Sequence, residues 1–74
     1  MNSLYKTKKK KLLYLEDFSK AENILPETLM LLTDMRPAES GKIICKFYYK
    51  NRHYIFAYIH QKDFDEIFEC ISCV

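Results

Sequence analysis

The stretch KIICKFYYKNRHYIFAYIH, residues 42–60, constrains the fold more than any other part of the chain. It packs Ile, Tyr and Phe densely and contains no acid, no glycine and no proline. β-Branched and aromatic residues suit a pleated, half-buried surface, so it reads as two strands, about Lys42–Lys50 and His53–His60. The pair Asn51-Arg52 is left as the turn. Asn accepts the positive φ that a two-residue hairpin loop demands, whereas Arg in place of Gly makes the turn costly.

That turn sets Lys50 opposite His53, Tyr48 opposite Ile55 and Lys46 opposite Ala57. Side chains alternate across a sheet, so two faces follow. One carries Ile43, Cys45, Phe47, Tyr49, Tyr54, Phe56, Tyr58 and His60, and is expected to be core. The other carries Ile44, Lys46, Tyr48, Lys50, His53, Ile55, Ala57 and Ile59. A solvated face does not hold a row of isoleucines. It is therefore expected to be covered by the segment KKLLYL, by a second copy of the chain or by another protein. A lone two-stranded hairpin is too small to be stable, which also calls for additional strands.

The remaining segments suggest helices around a short first strand. Residues 10–15, KKLLYL, form the candidate strand. EDFSKAENI starts a short helix at Glu16, with Phe18, Ala21, Ile24 and Leu25 inward, and Pro26 breaks it. A second helix runs from Pro26 to about Arg36, with Leu29, Leu32 and Met35 or Arg36 at helical spacing, and stops at Pro37. PAESGK is a loop turning at Ser40-Gly41. In DFDEIFECISCV, Phe64, Ile67, Phe68 and Ile71 fall at i, i+3, i+4 and i+7, and Asp63 with Glu66 resembles a capping box. The expected class is a small single α+β domain, (β)-α-α-β-β-α, with an antiparallel hairpin packed against two or three helices.

Charge is segregated along the chain. Residues 1–11 carry five lysines and no acid; residues 16–39 carry six acids against Lys20 and Arg36. Residues 42–60 are basic again, and residues 61–74 carry four acids against Lys62. Residues 1–11 are expected to be a flexible basic arm and 12–74 the folded domain, because a lysine run repels itself into extended conformations. The apolar stretch LLYL is far shorter than the ~7–15 residues of a signal peptide or the ~20 of a membrane helix, so a cytoplasmic location without membrane contact is expected.

Little points to chemistry. The single glycine, Gly41, provides no phosphate-cradling loop. CISC, residues 70–73, has Cys-x-x-Cys spacing, yet the expected helix end disfavours a thiolate. Cys45 and His60 could complete a Cys3His zinc set with Cys70 and Cys73, but that second half is dispersed, so no metal or cofactor is assigned. Reduced, buried thiols are the expectation. RHYIFAYI agrees with the RNA-recognition-motif pattern at Arg52, Tyr54 and Phe56, but His53 and Ile55 stand where small residues let a nucleotide approach. No family is assigned on it.

A non-enzymatic interaction or regulatory protein is the leading expectation. It docks on another protein through Lys46, Tyr48, Lys50, Arg52, His53 and Ile55. The chain uses many residues with AT-rich codons, which together with its size suggests an inhibitor from a phage or another mobile element. The alternative is nucleic-acid binding through Lys8, Lys9, Lys10, Lys11, Lys46, Lys50 and Arg52. A third reading is a homo-oligomer that buries the Ile55–Ile59 row against itself.

Overall fold

A computed structural model describes residues 3–15, 20–49 and 53–73. It is mostly antiparallel sheet, not the α+β hairpin-and-helices arrangement expected. The strands are β1 (Ser3–Thr7), β2 (Lys11–Leu15), β3 (Ala21–Ile24), β4 (Leu29–Pro37), β5 (Lys42–Tyr49), β6 (His53–His60) and β7 (Phe68–Ser72). They form one sheet in the order β3-β2-β6-β5-β4-β1-β7. The α-helix among the described residues is a single turn, α1 (Phe64–Ile67). With no second layer to cover it, a sheet protects one face by curling, and this one forms a half-barrel.

The hairpin register differs from expectation by one residue. Tyr49 faces His53, Phe47 faces Ile55, Cys45 faces Ala57 and Ile43 faces Ile59. The expected turn residues Asn51 and Arg52 lie outside the described residues; the pairing of Tyr49 with His53 leaves residues 50–52 between the two strands. Side chains alternate with period two, so this single-residue shift turns the whole of β6 over. Ile55 and Ala57 are 0% exposed and Ile59 5%, and they complete the core with Ile43, Cys45 and Phe47. Tyr54, Phe56, Tyr58 and His60 take the other face, opposite Tyr48, Lys46, Ile44 and Lys42. The isoleucine row thus needs no second copy to cover it.

Two expected helices are strands. In β4, Met30 and Leu32 are buried while Leu29 is 57% exposed, a period of two and not of 3.6. The run LMLL satisfies either period; backbone pairing with β1 on one side and β5 on the other decides. A bulge at Thr33, whose hydroxyl donates to the Lys46 carbonyl (3.1 Å), puts Asp34 and Arg36 on the outer face with Lys46 and Ile44. Ala21–Ile24 is strand β3; the rest of that expected helix, residues 16–19, lies outside the described residues.

The C-terminal stripe is half correct. Phe64, Ile67 and Phe68 are buried, but α1 contributes only the first two and the chain becomes extended at Phe68. Ile71, the fourth member, is 47% exposed on β7. Asp63 makes no side-chain cap bond, so the capping box does not form. Phe47, Phe64, Phe68 and Tyr5 stack into a cluster, with Phe47–Phe68 centroids at 4.7 Å and Tyr5–Phe64 at 5.3 Å. Each ring buried here is worth ~1.5–3 kcal/mol, and together they hold β1, β5, α1 and β7 to one centre.

Residues 3–7, expected within a flexible arm, form a strand held between β4 and β7. Thr7 ends it, fully buried, and clamps the turn before β4. Its hydroxyl donates to the Leu25 carbonyl (2.7 Å) and accepts from the Thr28 N–H (3.0 Å). Its backbone N–H donates to the Thr28 carbonyl and its carbonyl accepts from the Glu27 N–H. Pro26 followed by Glu27 at φ 68° is the order of a type II turn, and a non-glycine residue there costs roughly 1–2 kcal/mol, which these bonds offset.

Two measurements check this fold. Ile55→Ala lowers the unfolding free energy by roughly 2–5 kcal/mol in a denaturant titration, whereas Phe56→Ala costs less than half as much; the reverse order would restore the two-residue turn. Thr7→Val keeps the shape but strands the Thr28 N–H, at a cost of roughly 1–3 kcal/mol.

Candidate functional site

The outer face of β5 and β6 gathers aromatic and basic side chains on one surface. Strand alternation brings Lys42, Ile44, Lys46 and Tyr48 of β5 beside Tyr54, Phe56, Tyr58 and His60 of β6. The Lys46 Nζ lies 4.3 Å from the centre of the Tyr54 ring, and the Lys42 Nζ 4.7 Å from that of Tyr58. Each contact is worth ~0.5–1 kcal/mol at an exposed site and fixes both the ring and the cation. Tyr48 meets the Tyr54 ring edge-on at 5.3 Å. Tyr48 and Tyr58 remain 36% and 37% exposed, so the rings are held but not covered.

Two hollows adjoin on this face, and Ile44 lines both. One, about 540 Å³, lies between Ala38, Glu39, Ile44 and Tyr58. The second, about 370 Å³, is bounded by Asp34, Arg36, Ile44, Lys46 and Phe56. Arg36 Nε donates to Asp34 Oδ2 at 2.8 Å, an exposed pair that shapes the rim more than it stabilises the fold. The turn at Ser40 and Gly41, both left-handed at φ 58° and 73°, carries the chain from β4 back into β5 beside the first hollow. Such a lining offers apolar contact area, with acidic Glu39 at the edge of the first hollow and Asp34, Arg36 and Lys46 at the edge of the second.

The residues expected to bind a partner are only partly assembled here. Lys46 and Tyr48 are on the face. Ile55 is in the core. His53 pairs with Tyr49 through the backbone, and Lys50 and Arg52 lie outside the described residues. Ile44, Phe56 and Tyr58, which line the hollows, were not among the expected site residues. Counting a three-residue loop from Tyr49 to His53 is the signal that would have found Phe56 and Tyr58.

Of the lysines expected to bind nucleic acid, Lys9 is paired with an acid of the same chain and Lys8 with a backbone carbonyl, and the neighbouring Lys6 is also engaged. Lys6 Nζ lies 2.9 Å from Glu27 and 3.8 Å from Glu69. Lys9 pairs with Glu66 at 3.6 Å, and Lys8 Nζ donates to the Asp65 carbonyl at 2.7 Å. The hydrogen bond and charge of Glu27, then the charge of Glu69, push the Lys6 ammonium pKa up. Lys10 is exposed, and Lys11 is half-buried at the start of β2.

The cysteines do not converge. Cys45 is in the core, whereas His60 belongs to the outer face. Cys70 and Cys73 are disulfide-bonded to each other, not reduced and not at a helix end. Among the described residues no group of His, Cys, Asp and Glu is placed to hold a metal ion, and no helix is long and apolar enough to cross a membrane.

Burial raises the Cys45 thiol from its ordinary 9.0 to about 12. A raised folded pKa gives stability that is complete below the unfolded value and lost as pH rises towards the folded one. Unfolding free energy therefore falls from pH 9 towards 12 by up to about 1.4 kcal/mol per pH unit. Tyr49, raised by burial and by its 3.0 Å hydrogen bond to Glu22, adds to the fall only above pH 10. Cys45→Ala removes the slope between pH 9 and 10 in urea titrations, and an unchanged slope would place its origin elsewhere. No family model, no curated protein and no solved structure matches this chain.

Proposed function

We propose that this protein acts by docking, without catalysis, on a protein partner through the outer face of β5 and β6, as a small regulator or inhibitor does. The observation that carries the reading is the pair of hollows either side of Ile44, one lined by Tyr58 under Lys42 and the other by Phe56 and by Lys46, whose ammonium rests on the adjacent Tyr54 ring. Tyrosines and pre-ordered apolar pockets are the features on which binding energy concentrates, because little side-chain freedom remains to be lost. The complementary partner places one apolar side chain in each hollow and acidic groups towards Lys42 and Lys46. A nucleic-acid ligand fits the rings and cations as a chemical class, but Lys6, Lys8 and Lys9 are already engaged by acids and acceptors of the chain.

The test is affinity capture of the tagged protein and of Ile44→Glu, with nuclease and in high salt, read by quantitative mass spectrometry. The proposal expects a stoichiometric protein that survives both treatments and falls about tenfold or more with Ile44→Glu, while the melting temperature of the variant stays close to that of the parent. Equal capture by both forms would remove the site from this face. Capture abolished by nuclease would transfer the reading to nucleic acid.

A further inference from the structure

The geometry points to Cys70 and Cys73 as a reversible redox modification site that sets the register of the end of β7. Three residues of extended chain span about 10 Å, yet the Cα atoms of Cys70 and Cys73 are 6.0 Å apart. A regular strand cannot carry this disulfide, and β7 is not regular at this point. Tyr5 pairs with Cys70 but Leu4 pairs with Ser72, so Ile71 is an extra residue, a bulge directly inside the four-residue ring. The irregularity and the covalent link coincide.

Opening the ring removes the requirement for the bulge. Continuing the regular register from Tyr5–Cys70 sets Ile71 opposite Leu4 and Ser72 opposite Ser3. The oxidised and reduced forms thus differ by one residue of register at the edge of the sheet. Cys70 and Cys73 are both exposed, and β7 pairs with β1 on one side only, so an attacking thiolate reaches them without unfolding. The co-reactant is a dithiol reductant. Its thiolate attacks one sulfur, the Cys70–Cys73 bond breaks, and a mixed disulfide forms. Its second thiolate then displaces the protein sulfur. The protein gains two electrons and two protons, and the reductant leaves as a disulfide. Cys45, buried in the core, takes no part.

The test is nuclear magnetic resonance of the folded, full-length protein with and without dithiothreitol, alongside alkylation read by mass spectrometry. Two alkyl groups are expected after reduction without denaturant, on Cys70 and Cys73 and not on Cys45. Amide shift changes should centre on residues 3–5 and 70–73. The double variant Cys70→Ser, Cys73→Ser should show the reduced pattern in both conditions. Alkylation of Cys70 and Cys73 in the absence of reductant would show that the disulfide does not form. Unchanged shifts at Leu4 and Tyr5 on reduction would show that the register does not depend on it. Either result overturns the proposal.

Discussion

Pairing between β5 and β6 is the constraint on which the rest of the molecule depends. β2 and β3 are attached through β6, whereas β4, β1 and β7 are attached through β5. This one register therefore decides which side chains each half of the sheet meets. With Phe47 opposite Ile55 and Cys45 opposite Ala57, the buried positions of β5 and β6, Ile43, Cys45, Phe47, Ile55, Ala57 and Ile59, are all apolar. A neighbouring register would bury Tyr54, Phe56 and Tyr58 beside Cys45 and expose two isoleucines. Hydrophobic burial distinguishes these alternatives strongly because a half-barrel has only one inside.

Electrostatics follows a similar division between held and exposed. The basic beginning of the chain is met locally by acids of the same fold, Lys6 by Glu27 and Glu69 and Lys9 by Glu66, while Lys8 donates to the Asp65 backbone carbonyl. These are surface contacts of modest energy, but several join β1 and its following turn to α1 and β7. Lys42 and Lys46 are held differently, against tyrosine rings. Such an ammonium is positioned while still accessible to an acidic group.

The residues themselves disclose part of this. Strand character over 42–60 and near 10–15 follows from composition, and Ser40-Gly41 identifies its own turn. Other features are not local. Leu29 to Met35 satisfies helical spacing as well as strand alternation, and the outcome depends on β1 and β5, which are distant in sequence. Phe64, Ile67 and Phe68 are inward in either description, which concealed the change from helix to strand at Phe68. The make-up of the outer face turns on one residue of register. A loop longer by one residue moved Ile55 inward and brought Phe56 and Tyr58 out. Composition indicated a basic aromatic surface; only register says which rings form it.

The position of β1 bears on how the chain is made. Ser3–Thr7 lies between β4, residues 29–37, and β7, residues 68–72. During synthesis this early strand emerges long before the second of its neighbours exists. Until residues 64–72 follow, Tyr5 lacks Phe64 and one whole edge of β1 has no strand to meet. Such long-range closure slows folding and lengthens the time for which apolar edges are exposed. The lysines on and after β1 suit that interval, because charge on an unpaired edge discourages neighbouring chains from adding to it. The same side chains that later hold acids of their own fold first serve to keep the nascent chain alone.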